Sequence, residues 1–235
     1  MIPARYKFLF AKNQGVLKTH RGSDFGALEV ARLLSRLTST PLYFTKISRL
    51  IVDMNRSPVS PTALSRWTNS LSKIEQTQIF EKLYWPYREL IYSKVELAMR
   101  FKKSSEPHSR RSFTTTDIRL VHFGIHSFSP YIESSRRDCQ IGILFDPKRP
   151  LETKVARHLQ IHLKRLFPDL GIRLNFPYRG NGDGLTTDLR KRYRPTQYVG
   201  LELNQVLLKQ LIARRTLSAF TKSLAIALES SIVDL

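Results

Sequence analysis

The chain has 235 residues, 41% of them hydrophobic, and sets 39 lysines and arginines against 19 acidic side chains, a formal net charge of +20. That length buries one substantial core rather than two of comparable size. The lone cysteine, Cys139, excludes an intramolecular disulfide and any zinc site built on several cysteines. No apolar run reaches the length of a membrane span, and Met1-Ile2-Pro3-Ala4-Arg5 lacks a signal-peptide core, so a reducing cytoplasm is the expected home.

The positive charge has two readings. Lysines and arginines gain affinity for nucleic acid by displacing counterions from phosphates. Here, however, the charge is spread from Lys7 to Lys222, with small knots at Arg110-Arg111, Arg136-Arg137 and Arg190-Lys191-Arg192-Tyr193-Arg194. Neither zinc-finger spacing nor an aromatic-rich RNA-recognition strand accompanies it. Nucleic-acid binding is therefore set aside as the primary role, in favour of a basic surface or a pocket for an anionic substrate.

In chain order, Asp24 to Leu37 reads as a helix, with Leu28, Ala31, Leu34 and Leu37 at helical spacing and Ser23 or Asp24 as its cap. Leu42 to Ile47 and Arg49 to Val52 read as extended. The apolar Leu50-Ile51-Val52 breaks into Asp53-Met54-Asn55-Arg56 and Ser57-Pro58, the pattern of a buried strand delivering polar groups to a sheet's carboxyl edge. An arginine held there is costly without an anion to bind. Pro58 to Pro61 is a loop. An amphipathic helical pattern runs from Lys73 to Lys102, with Pro86 kinking or dividing it. Lys103 to Ser112 is polar and reads as a loop.

Asp117 to Ile125 then alternates as a strand and leads to His126-Ser127-Phe128-Ser129-Pro130. Gln140 to Phe145 is an apolar strand, and Leu151 to Phe167 a helix opened by Pro150. Ile172 to Asn175 is a short strand entering a loop whose Gly180, Gly182 and Gly184 are expected to supply positive-φ conformations. That loop lacks the helix context of a nucleotide-phosphate cradle. Tyr198 to Leu203 is the last strand, and a C-terminal helix runs from Asn204 or Gln205 to Leu228. Strands alternating with helices argue for one layered α/β domain.

Several strand ends carry groups suited to hydrolysis. His126 follows one, Asn55-Arg56 another, Glu202 lies in the last, and Asp24 opens a helix just after His20. Imidazole and carboxylate are the ligand types of a catalytic zinc with one position open for water. A further carboxylate can act as base on that water, and an arginine can steady the oxyanion. Each has a structural alternative: a hydrogen-bonded histidine, a surface glutamate at 202, a helix cap at Asp24, an Arg49–Asp53 pair.

The motifs resemble a known family. His20-Arg21-Gly22-Ser23-Asp24-Phe25-Gly26-Ala27 is similar to the His-x-x-x-Asp-x-Gly-Ala element of the N-formylglutamate amidohydrolases, and Ser48 to Arg56 to their Ser-Arg-Leu-x-x-Asp-x-Asn-Arg. His126 to Pro130, Gly142 to Pro147, Asn175 to Thr186 and Tyr198 to Glu202 resemble later segments in the same order. The resemblance implies an α/β fold over residues 1–235, a three-layer domain with a mixed central sheet flanked by helices, phosphorylase/hydrolase-like as in zinc exopeptidases. It also implies a zinc-dependent amidohydrolase of bacterial amino-acid catabolism, acting on a small anionic N-acyl amino acid such as N-formylglutamate. By the same resemblance His126 and Asp24 are metal ligands, Glu202 the water-activating base and Arg56 the group that stabilises the oxyanion. Arg49, Arg179, His20 and Asn55 are then candidates to hold substrate.

Two departures stand out. Met1 aligns just after the family's Cys-Glu-His turn, whose histidine supplies the first metal ligand, and Gly200 to Gln205 is shorter than the family's acidic strand. The 235-residue chain is accordingly expected to hold zinc poorly and turn over little, with an upstream-extended form competent. A catalytically silent member that binds an anionic ligand is the alternative.

Overall fold

In the computed structural model, residues 1–19, 21–104, 120–132 and 135–233 are described. Two 3₁₀ helices, Ala4–Phe10 and Gln14–Lys18, precede α1 (Ala27–Leu37), α2 (Arg66–Asn69), α3 (Lys73–Ile79) and α4 (Trp85–Ser104). Next come β1 (Leu120–Phe128), β2 (Tyr131–Ile132), β3 (Ser135–Arg136), β4 (Ile141–Leu144), α5 (Pro150–Leu166) and β5 (Ile172–Leu174). The order ends with α6 (Leu185–Arg192), β6 (Thr196–Asn204), α7 (Gln205–Ala213) and α8 (Leu217–Val233). The expected loop at Lys103 to Ser112 falls outside the described residues from 105 onward, as do the Arg110-Arg111 knot and residues 117–119 of the expected strand. The chain divides into two compact units: Met1–Ser23, Tyr43–Leu120 and Asp183–Pro195 form one, and Asp24–Leu42, Val121–Gly182 and Thr196–Leu235 the other.

The second of these units holds a four-stranded sheet in the order β1-β6-β4-β5. β4 runs antiparallel to β6, with Gly142 opposite Glu202, and parallel to β5, so the sheet is mixed. Side chains alternate between its faces. Val121, Phe123 and Ile125 of β1, Ile141 and Ile143 of β4, and Val199, Leu201 and Leu203 of β6 all join one core. Helices α1, α5, α7 and α8 cover it with Val30, Leu34, Val155, Leu159, Leu163, Leu208 and Leu224. Each such aliphatic side chain, fully buried, contributes roughly 1.5–3 kcal/mol. The α/β class with a mixed, helix-flanked sheet is the architecture found. The intervening positions, His122, Gly124, His126, Gly142, Tyr198, Gly200 and Glu202, share the opposite face. The His122 and Tyr198 rings, 5.6 Å apart, agree with that parity.

The other unit packs Tyr6, Phe10, Val16, Leu50, Ile51, Val52, Met54, Leu64, Ile79 and Tyr84 into a second core. The expected strands at Leu42 to Ile47 and Arg49 to Val52 do not form. Leu42 to Ile47 joins no strand, and Ser48 to Ile51 is a turn closed by the Ile51 N–H donating to Ser48 O at 2.9 Å. Only the isolated bridge Val52–Leu64 remains of the expected strand. The apolar run is buried, but hydroxyls do the work of a partner strand: Ser65 Oγ donates to Leu50 O, and Thr68 Oγ1 to Ile51 O at 3.0 Å. Apolarity reports burial, and burial alone does not make a ladder.

Other boundaries move for local reasons. Helix α1 starts at Ala27 with Gly26 at its N-cap, so neither Ser23 nor Asp24 caps it. The long pattern after Lys73 breaks at a π-helical stretch, Phe80–Tyr84, where the Trp85 N–H reaches back to Phe80 O just before Pro86. The C-terminal helix is two helices, parted at Arg214–Thr216 with Arg215 at φ 57°. None of Gly180, Gly182 and Gly184 adopts a left-handed φ, and Gly184 is extended at φ 163°.

Gly142 is required by crowding instead. A Cβ there would stand 1.8 Å from Phe176 O and 3.3 Å from the Glu202 Cβ. Gly142→Ala is therefore expected to lower the unfolding free energy by about 3 kcal/mol, the cost of an overpacked position. Denaturant unfolding measures this, and an unchanged midpoint would show that the 176 segment moves aside freely.

Candidate active site

Within the sheet-bearing unit, the strand alternation that packs the partly buried Phe123 and Ile125 against the core turns His126 to the face away from the helices. Its Nδ1 lies 2.9 Å from Asp24 Oδ2, with the histidine side chain 32% exposed and the aspartate 18%. Asp24 is thus not a helix cap. Its backbone carbonyl accepts from the Ala27 N–H in the turn before α1, and its carboxylate goes to the histidine. A carboxylate on Nδ1 fixes the ring and directs Nε2 to the chemistry. Nε2 lies beside Gly124, 3.5 Å from where a Cβ there would stand. Glu202 is buried on the neighbouring strand and shares the face. Arg179, in the loop after β5, is exposed.

The residues present can be matched to a metal. Asp24 and His126 offer two donors, and among the described residues no group of three His, Cys, Asp or Glu could hold an ion. A catalytic zinc takes three protein ligands and leaves one position open. The described residues do not make such a set. His20 lies outside the described residues.

Arg49, Asn55 and Arg56 belong to the other unit, and all three are exposed. Arg56 therefore bears none of the desolvation cost that a buried strand end would impose. What is fixed is its backbone. The Asp53 N–H donates to Ala63 O at 2.7 Å and the Arg56 N–H to Asp53 O at 3.1 Å, while Asp53 Oδ1 accepts from the Asn55 N–H at 2.9 Å. Tyr84 OH donates to Arg56 O at 2.7 Å, Arg88 Nη1 to Met54 O at 3.2 Å, and the Ser57 N–H to Asp183 Oδ2 at 3.1 Å. Burial pushes the Tyr84 phenol up to about 12, so it stays a donor at any physiological pH.

Helix α6 is a helix that the sequence pattern does not announce after the glycine loop. The loop runs directly into it, and Asn55 Oδ1 accepts the Leu185 N–H at 3.1 Å. Gly184 permits this approach, because a Cβ there would lie 2.7 Å from Asn55 O. The helix start is thereby occupied by a side chain of the same unit. α6 also brings in Asp188, which accepts from Arg88 Nη2 at 3.0 Å, from Tyr92 OH and from Arg192 Nε at 3.2 Å. Tyr84, Arg88 and Asp188 are residues that sequence reasoning missed. Their sequence signals are the i,i+4 pairs Tyr84–Arg88, Arg88–Tyr92 and Asp188–Arg192.

The N-formylglutamate amidohydrolase family model matches residues 2–208. The chain belongs to that family. The crystal structure of the gene product Atu2144 from Agrobacterium tumefaciens is similar to the whole chain, with 26% identity, 86% of that protein covered and a TM-score of 0.78. Among curated proteins no match is found. Family membership indicates an N-formylglutamate amidohydrolase-like hydrolase. Among the described residues no helix is long and apolar enough to cross a membrane.

The pair of buried Arg88 with partly exposed Asp188 has a consequence for stability. Burial alone would raise the Asp188 carboxyl, but hydrogen bonds from Tyr92 and Arg192 and the charges of Arg192 and Arg88 together hold it below its ordinary range. A depressed folded value means stability present above the unfolded carboxylate range and lost as pH falls through the folded value. Asp188→Asn is expected to remove that acid-side dependence from the unfolding free energy. Arg88→Met, which leaves the carboxylate without its buried partner, should cost about 3 kcal/mol at neutral pH. Denaturant melts across pH test both, and a pH slope unchanged in the Asp188 variant would contradict the assignment.

Proposed function

We propose that this chain hydrolyses the amide bond of a small N-acyl amino acid of the N-formylglutamate kind. The observation that carries the reading is the Asp24–His126 pair on the sheet face shared with buried Glu202. Amide hydrolysis needs a base for water, a group to polarise the carbonyl oxygen and an acid for the leaving nitrogen. Glu202 takes a proton from the attacking water and passes it to the departing amine. His126, oriented by Asp24, presents Nε2 to the scissile carbonyl. Arg56 keeps the role that the family pattern gives it, stabilisation of the developing oxyanion, and Arg49, Asn55 and Arg179 remain candidate substrate contacts.

With two donors among the described residues, zinc is expected to be held weakly. Dialysis against a chelator should strip it, and retention of one tightly bound zinc per chain would overturn this. The two-donor set among the described residues also favours a second reading, a silent family member that binds the anionic ligand without turnover.

Formate release from N-formyl-L-glutamate separates the two. In an enzyme, Glu202→Gln should lower kcat by roughly 100-fold or more with KM within a few-fold. Arg56→Ala should likewise fall mainly in kcat, by about 100-fold. A Glu202→Gln variant as fast as the parent would remove Glu202 from the mechanism, whereas an inactive parent that still binds the substrate would favour the silent reading.

A further inference from the structure

Arg137 has a setting that the motifs do not account for. Its backbone N–H donates to Pro130 O at 2.8 Å, closing the β2–β3 hairpin and fixing where the side chain starts. The half-buried guanidinium lies 5.8 Å from the Phe128 ring centre and 5.3 Å from that of Tyr178. Nη1 donates to Ser129 O at 3.1 Å and, at 3.5 Å, to Tyr178 OH. Two aromatic faces and a carbonyl thus set the plane of the fork.

Charge is what the setting leaves unanswered. Arg88, Arg149 and Arg192 each pair with a carboxylate, at 3.0, 2.8 and 3.2 Å. Among the described residues no carboxylate pairs with Arg137, although it is partly withdrawn from water. Its Nε and Nη2 edge is the bidentate edge that matches a carboxylate. A cation so held is suited to an anion from outside the chain.

Its position says which anion. Phe128 lies two residues past His126 on β1, about 7 Å along the same strand face. Tyr178 lies two residues past Phe176, whose carbonyl passes over Gly142 opposite Glu202. Arg137 is therefore held by the two segments that flank His126 and Glu202. We propose that Arg137 binds a carboxylate of the N-acyl amino-acid substrate and makes the site selective for an acidic one. This rests on the amidohydrolase reading and adds to it a specificity-determining residue.

The test compares N-formyl-L-glutamate with N-formyl-L-glutamine in the parent, Arg137→Gln and Arg137→Lys, with thermal melts to confirm folding. The parent should prefer the dicarboxylate. Arg137→Gln should lose about 10- to 100-fold in kcat/KM on it, mostly through KM, with little change on the glutamine analogue. Arg137→Lys should recover part of the loss. An equal loss on both substrates, or no loss on either, would overturn the proposal.

Should the parent release no formate, the amidohydrolase reading fails, and calorimetric titration with N-acetyl-L-glutamate decides on Arg137 separately. At least tenfold weaker binding by Arg137→Gln supports the carboxylate site. Equal affinities, or no binding by the parent, exclude it.

Discussion

Three aliphatic side chains on one strand, Val199, Leu201 and Leu203, fix what the rest of the sheet-bearing unit can present. Their burial against the helices forces Tyr198, Gly200 and Glu202 to the other face. A slip of one residue would exchange the two sets and bury a carboxylate among aliphatics. The pairing of Gly142 with Glu202 then sets how close the 176 segment can come, because only a residue without a side chain lets the Phe176 carbonyl pass. On β1 the same alternation turns His126 outward to Asp24. The site is a by-product of register: core packing specifies it as tightly as it specifies the fold.

The other unit reaches order by a different route. Asp53 to Ser57 forms no sheet, and fixing five residues costs about 5–10 kcal/mol of conformational entropy. Among the described residues eight hydrogen bonds engage the segment or the Asn55 side chain, each contributing about 1 kcal/mol net. The two sums nearly balance, so the charged donor Arg88, buried and paired with Asp188, tips the segment toward one conformation. Arg56 consequently has a fixed backbone and an exposed, adaptable head, a combination suited to meeting an anion that comes and goes.

The parts legible in the sequence were those with a period or a motif. Alternation identified β1, an apolar run β4, and Pro150 the start of α5, while the family resemblance named His126 and Asp24 together as metal ligands, two residues that the fold brings to hydrogen-bond distance. Leu50 to Val52 misled because a buried turn and a buried strand are equally apolar. What distinguishes them is Ser65 and Thr68 supplying hydrogen bonds from farther along the chain. Helix α6 was hidden by its charge: Leu185 and Leu189 are its buried aliphatics, too few to mark a period among Arg190, Lys191 and Arg192. The glycines before it were read as conformational, but Gly180 and Gly184 answer to close approach, at 2.1 Å from Phe145 N and 2.7 Å from Asn55 O for a hypothetical Cβ. Such constraints come from neighbours distant in sequence, which no local pattern records.

The central claim is that the sheet face bearing His126 and Glu202 receives the acyl amino acid. A crystal structure of the Glu202→Gln variant soaked with N-formyl-L-glutamate tests it most directly. The account predicts the formyl amide beside His126 Nε2 and the side chain at position 202, with a carboxylate on Arg137. A ligand bound elsewhere, touching neither His126 nor position 202, would contradict it.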